Sequence, residues 1–285
     1  MLTNTDHADV TFVRASSLTG YPDCPRRWAS SALRDELRTA GYEIRDSQRG
    51  IGAAIGTAVH AGACQTLRAK IGTGVPCPDS EATDATVQAL QEQTAEGVEF
   101  DRDIKSRNDG EQVALRMLRV YRAQVAPQIQ PLTVEERLEI QLTPDLVLTG
   151  QSDVIAREPG KLRDLKTGAR KRNHLPQLGA YALLNRVNGL NVESGGVDFI
   201  ARVAPHKPQP DADIYSIPLA QAEVAAVSIL RHITRAISGF RSGADGILPG
   251  DPWHFPANPS SMLCSAKWCT AHGTEFCREH RNQEV

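Results

Sequence analysis

The sequence predicts an α/β fold with a Cys-rich appendage at its end, and three observations carry that reading. Helical periodicity dominates the first 130 residues, β-branched and aliphatic runs begin at Pro131, and three of the six cysteines fall within the last 22 residues, spaced C-x4-C-x7-C. The 285 residues suffice for one large domain or two small ones. Adding the 22 glycines to the 40% hydrophobic fraction gives an apolar share of about 48%, the level of a globular chain. That excludes disorder as the main state, and collagen-like or coiled-coil repeats as well. No window approaches 18 consecutive apolar residues, so no membrane partner is expected. The start, MLTNTDHADVTFVRASS, lacks a basic region followed by an apolar stretch, which predicts no secretory signal and a cytoplasmic protein.

The elements follow in order. Residues 16–37 read as a turn and then a helix, with Ser16 or Ser17 capping a first short helix and Pro25 in the first turn of the next. Residues 50–70 open on the Gly-rich entry GIGAAIGTAVH and continue as a small-residue helix carrying His60; 71–80 is a loop. Helices return over 81–98 and 111–126, where Val113, Met117, Leu118, Tyr121 and Val125 share one face. Strands are predicted over 134–142 and 146–156, joined by Thr-Pro-Asp, and over 161–166 after Glu-Pro-Gly. A helix with Pro176 near its start follows, then strands near 196–203 and 212–217 and a helix over about 219–240. Prolines 249, 252, 256 and 259 predict an extended, non-helical approach to the last cysteines. No internal repeat is visible. The parts divide as a helical segment 1–130, a core 131–247 and a Cys-rich segment 248–285.

Net charge is only −2, so the whole chain does not announce a nucleic-acid binder. Locally, KLRDLKTGARKR at 161–172 holds six basic side chains and one acidic, a net of +5. Such density marks a solvated face or a phosphate contact, and its neighbours decide between them. Disulfides are not expected in a cytosolic chain of this size, and the clustered late cysteines favour metal chemistry.

Four polar positions carry chemistry: His60 in GTAVH, Asp153 in GQSD, and Asp164 and Lys166 in DLKTG. Residues two apart on a strand face the same way, so Asp164 and Lys166 project to one side. Asp153, on the preceding strand across a tight turn, is placed to lie beside Asp164. Two adjacent carboxylates repel unless a cation sits between them, and hard divalent ions take oxygen ligands. A lysine beside them can orient water or stabilise charge on a phosphoryl oxygen. D-x-K alone would read as a soluble strand edge; with G-x-x-D eleven residues upstream, the site reading prevails. Gln177 and Tyr181 are four apart, hence on one face of the following helix.

As an ordered set, GTAVH, GQSD, DLKTG and QLGAY resemble the RecB-like exonucleases of the PD-(D/E)xK nuclease superfamily, and SSLTGYPDCPRRW is similar to that family's opening segment. The resemblance spans about residues 16–203. It implies a restriction-endonuclease-like core, with a mixed central sheet flanked by helices. It also implies a nuclease whose Mg²⁺ or Mn²⁺ is held by His60, Asp153, Asp164 and the main-chain carbonyl of Leu165. Lys166 would help activate the attacking water, and Gln177 and Tyr181 would support the site and contact DNA. The cysteines extend the resemblance to the iron–sulfur branch, which includes CRISPR-associated exonucleases. Cys24, Cys264, Cys269 and Cys277 would then hold a 4Fe–4S cluster. The C-terminal spacing is wider than that branch's usual pattern, and zinc with His272 or His280 is the lesser alternative. Cys64 and Cys77 read as ordinary buried or loop thiols. The implied activity is 5′→3′ exonuclease action on single-stranded DNA ends. Its setting would be recombination, repair, replication or CRISPR adaptation, in phage or host, with recombination, replication or CRISPR-adaptation proteins as partners beside DNA. The alternative is a DNA-end-binding adaptor with the same fold and little catalysis.

Overall fold

The computed structural model describes residues 10–157 and 160–280, with side chains as far as Cys277. At its centre is a six-stranded mixed sheet of β1 (Thr11–Arg14), β2 (Pro131–Thr143), β3 (Leu146–Ala156), β4 (Lys161–Gly168), β5 (Ser194–Ala201) and β6 (Asp213–Ile217). The predicted Thr-Pro-Asp turn joins β2 and β3 into a long antiparallel hairpin, with Thr143 Oγ1 donating to Asp145 Oδ1 at 2.6 Å. On its other edge β3 is shared by two strands. β1 pairs in parallel with Leu146–Thr149, and β4 pairs antiparallel with Val154–Ala156 only. β4 then runs parallel to β5, which requires the crossover helix α6 (Leu175–Val187).

The remaining helices are α1 (Pro25–Ala32), α2 (Arg34–Thr39), α3 (Ile51–Lys70), α4 (Asp79–Thr94), α5 (Arg107–Val120) and α7 (Leu219–Ser242). Two apolar clusters share the sheet between them. One gathers α1, α2, α6 and α7 around Leu146, Leu148 and Leu162; the other gathers α3 and α5 around Val154, Leu165 and Ile200. α6 and α7 approach so closely at Gly179 that a Cβ there would stand 2.0 Å from the Ala222 carbonyl oxygen.

Several boundaries differ from the sequence reading. β1 was not anticipated: four residues are too short to show a period of two, and their partner lies far along the chain. The segment Ala15–Gly20 is a 3₁₀ turn with no side-chain cap; Ser17 Oγ instead donates back to the Arg14 carbonyl at 2.7 Å. α5 begins at Arg107, capped by Ser106, because Gly110 is a packing residue there and not a break: its missing side chain admits Ile51. The same helix ends in a π turn over Tyr121–Val125, before Pro127, which has no N–H to continue it. The Cys-rich tail is a chain of tight turns with short 3₁₀ segments at Pro252–His254 and Glu275–His280, not an extended strand. No helix among the described residues is long and apolar enough to cross a membrane.

Candidate active site

Where β1 has ended and β4 has not yet joined, the edge of β3 from Gly150 to Asp153 has no strand partner. Beyond Arg163, β4 diverges from β3, so the Leu165 N–H has no ladder acceptor there. Asp153 Oδ2 takes that bond at 2.6 Å and acts as a wedge in the split. Asp153 Oδ1 lies 3.4 Å from His60 Nδ1, which α3 lowers onto the same point. Asp164, the register partner of Asp153 had pairing continued, is 1% exposed, and Lys166 Nζ stands 2.7 Å from its Oδ2. The sequence-predicted quartet of His60, Asp153, Asp164 and Lys166 is thus brought together.

The electrostatics follow from burial and from these contacts. Burial pushes Asp164 up to about 6, Asp153 adds to the rise, and Lys166 opposes it. Burial pushes Asp153 in the same direction but is outweighed by the His60 charge and hydrogen bond, Lys166 and the Leu165 N–H, so it stays below the ordinary carboxylate range. For His60 the desolvation that favours the neutral ring is outweighed by Asp153, and its pKa is raised. The charges therefore sort into one firm carboxylate, one reluctant carboxylate, a lysine, and an imidazole whose protonated form the neighbouring Asp153 favours.

Both oxygens of Asp164 are buried without a hydrogen-bond donor; the Lys166 contact is an ion pair set off the hydrogen-bonding direction. With the Lys166 ammonium beside it, this buried carboxylate still has acceptor capacity, which fits a hard divalent ion. Among the described residues, no three His, Cys, Asp or Glu side chains already stand at ligand spacing around one point. The fit therefore rests on donor chemistry.

Behind the carboxylates, Gln177 Nε2 donates to Tyr181 Oη at 2.9 Å. Both side chains are buried, which suits support of the site more than direct contact with DNA. Burial, followed by the Asp164 and Asp153 charges, holds the Tyr181 hydroxyl protonated far above its usual range. Sequence reasoning missed three neighbours. Asn185 extends the row by another four residues and donates to Ser152 Oγ at 3.3 Å and to the Tyr181 carbonyl at 2.7 Å; the signal was Q-x3-Y-x3-N. His174, at the start of α6, is lowered to about 4 by burial and by Lys166 and Arg172. Glu135 faces Asp153 in the β2–β3 register with a left-handed φ of 49°, lies 3.6 Å from Arg68 and accepts from Cys64. Nothing in the sequence announced the last.

The basic loop is only partly open. Lys171 pairs with Asp213 and lies 4.9 Å from the Tyr215 ring centroid, while Arg170 and Arg172 are exposed.

At the opposite side of α1, Cys24, Cys264, Cys269 and Cys277 line one pocket together with His272; the side chain of His280 lies outside the described residues. Cys24 caps α1, and its Sγ accepts N–H groups from Arg27 and Asn258, both at 3.4 Å. Burial raises the thiols of Cys264 and Cys269, and the Cys24 charge adds to both. Burial thus favours the neutral thiols of Cys264 and Cys269, and four sulfur donors around one pocket suit a metal group that binds them as thiolates. Cys64 and Cys77 are buried elsewhere.

The comparisons agree with this geometry. The PD-(D/E)XK nuclease superfamily profile matches residues 14–274. A crystal structure of a candidate exonuclease from Eubacterium rectale is 10% identical, with 93% of this chain and 92% of that one covered at a TM-score of 0.52; at that identity it shows the fold alone. A second solved structure, SSO0001, is 13% identical over 87% of this chain and 91% of that one, and its TM-score of 0.32 carries no argument. No curated protein matches the chain. The profile match over nearly the whole chain, on a mixed sheet split at Asp153, places the chain in the PD-(D/E)XK nuclease superfamily.

Proposed function

We propose that the protein is a metal-dependent DNA exonuclease that hydrolyses phosphodiester bonds at single-stranded ends with 5′→3′ polarity, in recombination, repair or replication. The observation that carries this reading is the buried Asp164 carboxylate, paired with Lys166 and set beside Asp153 and His60. In this reading Asp153, Asp164, the Leu165 carbonyl and His60 hold Mg²⁺ or Mn²⁺. Bound there, the ion supplies charge neutralisation for the phosphoryl oxygens and acidifies water. Lys166 Nζ, held by Asp164, orients the attacking water and steadies charge on the phosphate. Leu165 N–H fixes the Asp153 carboxylate, and the Gln177–Tyr181 pair keeps the wall behind Asp164 in place.

The four cysteines around the Cys24 pocket hold a 4Fe–4S cluster in the same reading, with one zinc as the lesser alternative. The test of function is digestion of 5′- and 3′-labelled single strands with Mg²⁺ or Mn²⁺. The expected result is stepwise shortening that a 5′ block prevents and a chelator abolishes. Binding of ends without shortening would instead support an adaptor.

A further inference from the structure

We propose that the open face of β1, β2 and β3 is a track that carries single-stranded DNA to the split at Asp153, with bases stacked on Phe12 and Trp268 and phosphates on Arg14 and Arg137. The inference rests on the nuclease reading above and adds a binding surface to it. On β3, Gly150 and Ser152 face α6, since a Gly150 Cβ would strike Leu184 and Tyr181 and Ser152 accepts from Asn185. Thr149 and Gln151 therefore project from the other face, and Asp153 follows at the split, where the facing changes and Val154 packs in the α3 cluster. Arg14 is the register partner of Thr149, and Arg137 is that of Gln151, so both arginines share the face of Thr149 and Gln151, next to the split at Asp153. From Thr149 to Asp153 is four strand residues, about 13 Å.

A groove of ≈ 970 Å³ lies beside this region, between β1, α1 and α2, lined among others by Phe12, Arg14, Arg27, Arg34, Arg137 and Trp268. Two of its aromatic rings are open: Phe12 is 48% exposed and Trp268 57%. An exposed phenylalanine on an edge strand is otherwise a liability, and a second open ring in the same groove calls for a shared ligand. Arg27 and Arg34 are held by Asp23 and Asp46, which fixes them as walls. Arg137 reaches Glu139 only at 3.8 Å, with its side chain 64% exposed, and Arg14 is exposed. Glu36, on the α2 wall, is neutralised by Arg241 at 2.8 Å. Separate rings, one face of Trp268 already covered by the Lys267 ammonium at 5.3 Å from its centroid, beside exposed guanidinium groups match a strand with unstacked bases. In a duplex the base faces are already covered and cannot take side-chain stacking.

The test is anisotropy of a labelled (dT)20 strand with the full protein in chelator, against a 20-base-pair duplex. Phe12→Ala and Trp268→Ala should each weaken (dT)20 binding by about 5- to 150-fold, as loss of one stacked base predicts. Phe12→Tyr and Trp268→Tyr should restore it. Arg14→Ala with Arg137→Ala should make the salt slope shallower by about 0.7 for each phosphate no longer neutralised. All of these variants should hydrolyse bis(p-nitrophenyl) phosphate with Mn²⁺ at the unaltered rate, because that diester needs only the Asp153 site. Unchanged (dT)20 affinity in both alanine variants, or equal affinity for the duplex, overturns the track. Ring-dependent binding in a protein inert towards the small diester keeps the track and overturns the nuclease reading.

Discussion

At the scale of single residues, Asp164 sets the character of the site. Its pKa is lifted to about 6 from 3.8 chiefly by burial, so the native state holds this proton more tightly than the unfolded chain does. The stability linked to a raised carboxyl is complete below about pH 4 and lost as pH rises through about 6. Asp164→Asn in chelator should therefore melt above the natural protein at pH 8, with the gain shrinking towards pH 5 in a thermal-shift series. A difference independent of pH would contradict the burial argument. Gly179 is a purely structural counterpart. A Cβ there meets backbone of α7 that has no side chain to swing aside, so Gly179→Ala should destabilise by about 1–3 kcal/mol in urea unfolding.

At the scale of elements, the proposed function divides two tasks between β4 and the loop after it: Asp164 and Lys166 would serve the reaction, and the exposed Arg170 and Arg172 would serve affinity. Replacing both with alanine should weaken single-strand binding for all sequences alike. Its salt slope should become shallower by about 0.7 for each phosphate that these arginines neutralise. An unchanged slope would make the run a solvated face. Lys171 should matter less, since Asp213 and Tyr215 already engage it.

The β2–β3 hairpin, β4 and α6 were legible because period-two runs, turn residues and a proline-led helix are local signals. The site residues on them were legible for the same reason: D-x-K and Q-x3-Y spacings fix a shared face in any strand or helix. β1 was not, because its place depends on pairing with a strand some 130 residues later. Glu135 was not, since a left-handed residue inside a strand leaves no mark in the sequence. Asn185 was within reach of the same four-residue spacing that marks Gln177 and Tyr181.

At the scale of the whole molecule, the tail closes the chain onto its own beginning. Arg26, 2% exposed, donates to the carbonyls of Phe255 and Pro252 at 2.9 Å each, and Arg45 Nη2 donates to the Cys269 carbonyl at 2.8 Å. These bonds help bring the late cysteines to Cys24. A cluster there would add a cross-link between chain ends. Protein purified without oxygen should be brown, bleach with dithionite and hold about four irons per chain. Cys24→Ala should lose the iron and lower Tm. A colourless protein with one zinc would overturn the cluster and leave the active site untouched.

The central claim is that the split sheet brings two carboxylates and a lysine together to cut DNA. The most direct measurement is the Mn²⁺-dependent cleavage rate of an end-labelled single strand by the natural protein and by Asp153→Ala, Asp164→Ala and Lys166→Ala, with strand binding followed in parallel. The account predicts cleavage by the natural protein, its loss in all three variants and binding that survives in each. Full cleavage by Asp164→Ala would contradict it.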